Sequence, residues 1–97
     1  MNLILYSKPG CHLCEGLQEK LEEILKDSEN PCKFDLEIRD ITTRDDWFAA
    51  YQYEVPVLSV CEADTTNEQF IPRPSPRMSV RKLQQMLQKY LSTMNNE

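Results

Sequence analysis

Two cysteines at a change of hydrophobic pattern constrain the fold of this chain more than any other feature. The apolar run Leu3-Ile4-Leu5-Tyr6 predicts a buried strand over Asn2–Ser7, and Pro9-Gly10 ends it. From Cys11 onward the apolar residues recur at helical spacing, at Leu13, Leu17, Leu21, Ile24 and Leu25. The thiols of Cys11 and Cys14 therefore lie at the N-terminus of a predicted helix, where unpaired N–H groups and the helix dipole stabilise a thiolate. This placement suits dithiol–disulfide exchange.

The rest of the chain alternates strand and helix patterns. Further strands are predicted over residues 33–40, 55–60 and 69–71. Thr42 or Thr43 can cap a second helix, and Ser79 can cap a final one. The order β-α-β-α-β-β-α requires a parallel strand pair joined by a right-handed helical crossover, followed by a hairpin in the same sheet. We expect an α/β protein with a mixed four-stranded sheet flanked by three helices, the thioredoxin-like fold in its smallest form.

Chain length and cysteine content indicate the number of domains and the cellular compartment. A chain of 97 residues can bury one hydrophobic core, so we expect a single domain over residues 1–97 that needs no disulfide cross-links. No basic region precedes the first apolar run, which predicts neither a secretion signal nor a membrane span and places the protein in the cytoplasm. In that reducing compartment a close cysteine pair is more often catalytic or metal-binding than structural.

The net charge of the chain indicates which classes of binding partner are compatible with it. A formal net charge of −5 argues against a nucleic-acid binder, which needs a basic face to meet phosphates. The last third of the chain nevertheless carries a local group of basic residues, namely Arg73, Arg77, Arg81 and Lys82. Together with Lys8 they could form a small anion-binding patch, and the alternative is an ordinary solvated surface.

Two segments carry a resemblance to a known family. The run from Leu5 to Cys14 resembles the active-site segment of glutaredoxins, and Val55-Pro56-Val57-Leu58 resembles their second landmark in the same order and at the same separation. More narrowly, the chain is similar to small bacterial glutaredoxin-like proteins with a Gly-Cys-His-Leu-Cys segment. The resemblance spans essentially the whole chain and implies a glutaredoxin-type fold. It also implies a cis Val55–Pro56 bond in a loop beside Cys11, whose backbone binds the thiol substrate.

Three departures from ordinary glutaredoxins concern glutathione. His-Leu replaces Pro-Tyr between the cysteines, and Glu54 replaces the Thr before Val-Pro, where it would repel a glutathione carboxylate. The proline-rich run over residues 72–79 replaces the Gly-Gly then Cys-Asp stretch that holds glutathione, so it removes backbone donors and adds bulk. Arg73 or Arg77 could bind a carboxylate by a different geometry. Glutathione and a flavoprotein thioredoxin reductase both stay open as electron donors.

The candidate site combines catalytic and substrate-binding residues. Cys11 attacks a disulfide and Cys14 resolves the mixed disulfide, while Lys8 favours the thiolate. His12 could also stabilise the thiolate or supply a proton, and the alternative is an exposed imidazole with a weak effect. By resemblance, Val55 and Pro56 bind the substrate.

The leading hypothesis is a monomeric thiol–disulfide oxidoreductase that acts on protein or glutathione disulfides and needs no metal or organic cofactor. One alternative is a carrier of a metal ion or iron–sulfur cluster that uses the two thiolates as ligands, with a dimer supplying a second pair. Another is a thioredoxin-like interaction module with a vestigial motif. Cys32 and Cys61 lie far from the motif in sequence and are expected to be ordinary core or surface residues.

Overall fold

The computed structural model describes residues 2–26, 34–61, 68–75 and 77–95. The elements are β1 Asn2–Ser7, α1 His12–Lys26, β2 Asp35–Asp40, a 3₁₀ turn Ile41–Thr43, α2 Asp45–Tyr51, β3 Val57–Cys61, β4 Glu68–Ile71 and α3 Val80–Asn95. The strands form one sheet in the order β2-β1-β3-β4. β1 pairs with β2 in parallel, and β3 pairs antiparallel with both β1 and β4. The predicted α/β class, mixed sheet and element order are confirmed.

The larger core lies between the sheet and helices α1 and α3. Side chains alternate between the two faces of a strand, so Leu3 and Leu5 of β1 point to this core. Leu21 of α1 and Leu87 of α3 are fully buried in it. Leu25, which the helical spacing assigned to the apolar face of α1, is instead 39% exposed. Among the described residues, no helix is long and apolar enough to cross a membrane.

The opposite face of the sheet is covered by the 3₁₀ turn and α2. Its buried residues include Ile4 and Tyr6 of β1 and Ile41 of the turn. Trp47 and Tyr51 of α2 pack against them, but no residue of α2 is itself buried. This face is therefore covered more thinly than the other, and its aromatic side chains stay partly open to solvent.

Capping differs from the expectation at one helix and agrees at another. Neither Thr42 nor Thr43 caps α2: they lie within the 3₁₀ turn, and the N-cap of α2 is Arg44, without a side-chain capping bond. The turn is capped by Asp40, whose carboxylate accepts hydrogen bonds from both the backbone N–H and the hydroxyl of Thr42. At α3, the Ser79 hydroxyl oxygen accepts the Lys82 N–H at 3.2 Å, as predicted.

Candidate active site

Cys11 and Cys14 form a disulfide at the start of α1, with their Cα atoms 5.3 Å apart. Cys14 lies in the first turn of the helix and is 2% exposed, whereas Cys11 just precedes the helix and is partly exposed. The backbone N–H of Cys14 points at Sγ of Cys11, 3.1 Å away. An N–H in that position can also donate to a Cys11 thiolate, which would stabilise the charged form.

A short loop connects β1 to this disulfide. Gly10 adopts φ +79°, a left-handed conformation that L side chains rarely take, so glycine suits this position. The Cys11 N–H donates to the Lys8 carbonyl at 3.3 Å and closes the turn. The Cys11 carbonyl accepts the Glu15 N–H at 3.1 Å, so α1 begins directly after Cys11.

The sheet register brings Pro56 to the same edge as the disulfide. Tyr6 of β1 pairs with Val57 of β3, so the residue before Val57 lies beside the end of β1, where the cysteine loop begins. The Val55–Pro56 bond is cis, as the resemblance implied, and Pro56 is buried. A hydrogen bond from the Val55 N–H to the Tyr51 carbonyl, at 3.1 Å, fixes the approach to this bond.

Lys8 and His12 occupy different environments. The Lys8 ammonium donates to the Gln52 carbonyl at 3.1 Å and so ties the cysteine loop to the end of α2. The His12 side chain is 95% exposed, with Nδ1 3.6 Å from a Glu15 carboxylate oxygen. The structure thus places Lys8, His12, Val55 and Pro56 around the disulfide edge of the sheet, and their roles stay predictions.

A pocket of about 320 Å³ opens beside the motif, between α1, Pro56 and the proline-rich segment that precedes α3. Its apolar lining consists of Leu13, Leu17, Pro56, Pro74, Met78 and Leu83. Leu13, which the helical spacing assigned to the core, is 51% exposed because it lines this pocket. Lys20 and Met78 belong to the pocket but were not among the predicted site residues. The spacing of Leu13, Gly16, Leu17 and Lys20 on one face of α1 is the signal that could have identified it.

The predicted basic patch is divided by the structure. Arg73 lines the pocket, and its guanidinium donates to the Glu54 carbonyl at 3.4 Å. Arg77, Arg81 and Lys82 are exposed and do not line it. The cations at the pocket are therefore Arg73 and Lys20, the latter donating to the Met78 carbonyl at 2.8 Å.

Cys61, the described one of the two remaining cysteines, lies away from this edge. Cys61 is buried at the end of β3, paired across the sheet with Asn2, so it lies at the opposite end of β1 from the disulfide. Cys32 lies outside the described residues. In the described parts of the chain no group of three or more His, Cys, Asp or Glu residues could hold a metal ion.

A polar cluster lies under α2, on the opposite face of the sheet from the pocket. The buried Tyr6 hydroxyl donates to Glu68 at 2.7 Å and accepts from Arg39 at 2.8 Å. The Ser59 hydroxyl donates to the same Glu68 oxygen at 2.7 Å. Burial, and then the hydrogen bond to the Glu68 carboxylate, raises the pKa of Tyr6 far above its ordinary value. Burial also raises the pKa of Tyr51, which stacks against Tyr6.

Comparisons with known proteins agree with this architecture. The family model described as glutaredoxin-like domain (DUF836) matches residues 2–88. Among solved structures, thioredoxin 1 from the thermophilic eubacterium Thermosipho africanus TCF52B is similar, with a TM-score of 0.62 and 18% sequence identity. The match covers 99% of this chain and 100% of the thioredoxin. At that identity the likeness shows the fold alone. A search of curated protein sequences finds no significant match.

Proposed function

The chain belongs to the glutaredoxin-like domain (DUF836) family, and from that premise we propose that it is a thiol–disulfide oxidoreductase. The observation that carries the proposal is the pairing of a partly exposed Cys11 with a buried Cys14 at the N-terminus of α1. A substrate disulfide can reach the first sulfur but not the second. Cys11 is therefore the nucleophile, and Cys14 is the resolving residue.

The reaction consists of two exchange steps, and in each step one sulfur–sulfur bond forms while another breaks. The Cys11 thiolate attacks one sulfur of the substrate disulfide, forms a mixed disulfide and releases the other substrate sulfur as a thiolate. The Cys14 thiolate then attacks Sγ of Cys11, closes the Cys11–Cys14 disulfide and releases the second substrate thiolate. The substrate gains two electrons and the protein loses two, so no metal or organic cofactor is needed. The released thiolates take up protons from solvent.

Neighbouring groups support each step. The Cys14 N–H and the N-terminus of α1 stabilise negative charge on the Cys11 sulfur. Lys8 adds a positive charge to the loop that precedes Cys11, and the exposed His12 imidazole can exchange a proton with the leaving thiolate. The Val55 N–H already donates to the Tyr51 carbonyl and Pro56 has no N–H, so the backbone there can offer a substrate segment its carbonyl oxygens as acceptors.

The proposed setting is the reducing cytoplasm, where the protein takes part in electron transport and redox homeostasis as a monomer. Its substrates are disulfides of proteins or of glutathione, and its partner is a thiol donor that restores the dithiol. Glutathione and a flavoprotein reductase are the two candidate donors. A two-electron exchange is reversible, so the donor's potential decides the direction, and about 30 mV changes the free energy by roughly 1.4 kcal/mol.

The test is intact-mass analysis across glutathione redox buffers, in a background in which Cys32 and Cys61 are replaced by serine. We expect a loss of two hydrogens confined to Cys11 and Cys14, and its midpoint gives the reduction potential. In the Cys14→Ser variant, incubation with a disulfide substrate should trap a mixed disulfide on Cys11. The matched Cys11→Ser variant should trap much less, because the remaining thiol at Cys14 is buried.

Two outcomes would contradict the proposal. If both thiols stay reduced in every buffer and Cys14→Ser forms no adduct with glutathione or with a protein disulfide, the pair does not exchange disulfides. If freshly purified protein shows thiolate-to-metal charge-transfer absorption and no exchange activity, the two thiolates hold a metal ion or cluster instead.

A further inference from the structure

The pocket beside the disulfide has the size and lining of a side-chain binding site. Its volume of about 320 Å³ lies within the range of small-ligand sites. One wall is formed by Leu13 and Leu17 of α1, and the opposite wall by Pro74 and Met78. His12 and Leu13, the two residues between the cysteines in sequence, line the pocket together with Pro56, so the pocket opens beside the motif although neither cysteine lines it.

The interior of the pocket holds unused space. A Cβ atom built on Gly16 meets nothing within 4 Å, although Gly16 is in the middle of a helix wall of the pocket. Pro74 is buried in the opposite wall and offers no N–H. An extended polar ligand would find few backbone donors here, whereas an apolar side chain would find a matching surface.

The charge at this pocket is opposite to that of the whole chain. The cations Arg73 and Lys20 line it and no carboxylate is among its described lining residues, although the Glu15 carboxylate lies 3.6 Å from Nδ1 of the lining His12 and the protein carries a formal net charge of −5. The Arg73 guanidinium donates one N–H to the Glu54 carbonyl at 3.4 Å, and within the part of the chain that the structure describes its other N–H groups stay available to a ligand. The pocket is therefore complementary to a group that is apolar at its centre and anionic at its edge.

We propose that this pocket takes a large apolar side chain next to the reacting cysteine of a protein disulfide, and that Arg73 pairs with a carboxylate of the same segment. The inference rests on the proposed function and names its substrate class. Glutathione has only glycine and a γ-linked glutamate beside its cysteine, so it cannot fill the apolar part. The reaction itself is the exchange written above, with the pocket holding the segment while Cys11 attacks its disulfide.

The experiment uses short acetylated and amidated peptide disulfides as probes. Each carries leucine or alanine on both sides of the cysteine, and aspartate or asparagine one position further out. The second-order rate constant for oxidation of the reduced protein is measured for each peptide. We expect the leucine peptide to react about tenfold faster than the alanine peptide. We expect aspartate to add a severalfold gain over asparagine.

Protein variants test whether the preferences for leucine and aspartate arise from the pocket. Gly16→Leu fills the open space, so the ratio of the leucine to the alanine rate should fall to about one. Glu22→Leu adds the same side chain to an exposed position of α1 outside the pocket and should keep the ratio. Arg73→Gln should remove the gain from aspartate, while Arg77→Gln, a change of the same chemistry outside the pocket, should keep it.

A binding measurement separates this inference from the proposed function. Oxidised protein cannot react with a leucine peptide in which serine replaces the cysteine, so NMR shifts of the Leu13 and Met78 methyls report binding alone. Shifts at these methyls that are lost in Gly16→Leu support the pocket even if no peptide is reduced. Equal rates for all four peptides together with no methyl shifts would overturn the inference while leaving disulfide exchange intact.

Discussion

Tyr6 shows how one hydroxyl joins three strands beneath α2. It links Arg39 of β2 to Glu68 of β4 from its own position on β1, and it is only 1% exposed. A buried hydroxyl with both a donor and an acceptor partner contributes to stability, and removing it leaves those partners less satisfied. The same burial makes ionisation of the ring costly.

Tyr6→Phe should therefore change both stability and its pH dependence. At neutral pH we expect a loss of about 1–2 kcal/mol in the free energy of unfolding. The raised pKa of Tyr6 means that its contribution is fully present below the pKa of an unfolded tyrosine, about 10, and is lost as the pH rises above it. Urea unfolding between pH 8 and 11 should show a decline in the wild type that flattens in Tyr6→Phe.

Tyr53→Phe is the matched control, because the Tyr53 side chain is 88% exposed. Its unfolding curves should follow those of the wild type at every pH. If Tyr6→Phe declined as steeply as the wild type at alkaline pH, the Tyr6 hydroxyl would not be the group that loses its proton. Tyr51 would then be the remaining candidate, since its pKa is also raised.

The two glycines of the chain should respond in opposite directions to alanine. Gly10→Ala places a Cβ on a residue at φ +79° and should cost about 1 kcal/mol. Gly16→Ala adds a methyl group to a helix interior with open space around it, so it should stabilise the protein by up to about 1 kcal/mol. Thermal and urea unfolding of the oxidised protein measure both. Equal effects of the two substitutions would show that the loop conformation before Cys11 is not constrained.

At single positions, sequence patterns identified the reactive residues better than they predicted how exposed each side chain is. The cysteine pair stood out by its residue types and spacing, and Pro56 was placed beside it by the family resemblance. The 51% exposure of Leu13 could not be found, because helical spacing shows which residues share a face but not what covers that face. The capping role of Asp40 was missed for a related reason. Thr42 and Thr43 are both capping residue types, but they lie inside a 3₁₀ turn that Asp40 caps, and the local pattern does not show that such a turn precedes α2.

At the scale of elements, α1 illustrates how strongly burial varies along one apolar stripe. Leu21 is fully buried against the sheet, and Leu25, one turn later, is 39% exposed. We expect Leu21→Ala to cost about 2–5 kcal/mol, because it removes buried methyl groups and leaves a cavity. Leu25→Ala should cost under about 1 kcal/mol. Urea unfolding measures both, and similar losses would mean that α1 is packed differently along its length.

Strand and helix assignments were predictable because most of these elements carry a strong periodic signal. The order of the elements then limited the topology to few choices, since parallel strands need a helical crossover and β3 and β4 are close enough in sequence for a hairpin. β2 was predicted over 33–40 but begins at Asp35, after the described Phe34, while residue 33 lies outside the described residues. Its Ile38 is 39% exposed because β2 is an edge strand, a property that depends on sheet order and not on the local pattern.

For the whole molecule, the sheet order determines which residues meet. Parallel pairing of β1 with β2 and antiparallel pairing of β1 with β3 place the end of β1 beside the start of β3. Residues more than 40 positions apart in sequence, Cys11 and Pro56, therefore share one edge. The pocket adds a third segment, from the proline-rich run before α3. The family resemblance predicted that Cys11 and Pro56 lie close together. The pocket depends on how α1 packs against the proline-rich run, which no local pattern encodes.

The bonds from Lys8 to the Gln52 carbonyl and from Arg73 to the Glu54 carbonyl have a consequence for association. They fasten the segment before Pro56 from both sides, to the cysteine loop on one and to the pocket wall on the other. Part of the conformational entropy of the segment before Pro56 is therefore lost when the protein folds and not when a partner binds. Ordering a mobile side chain on binding costs about 0.5–1.5 kcal/mol. Under the proposed function, a disulfide partner would meet an edge ordered in advance, so more of its contact energy would be left to hold it in place during exchange.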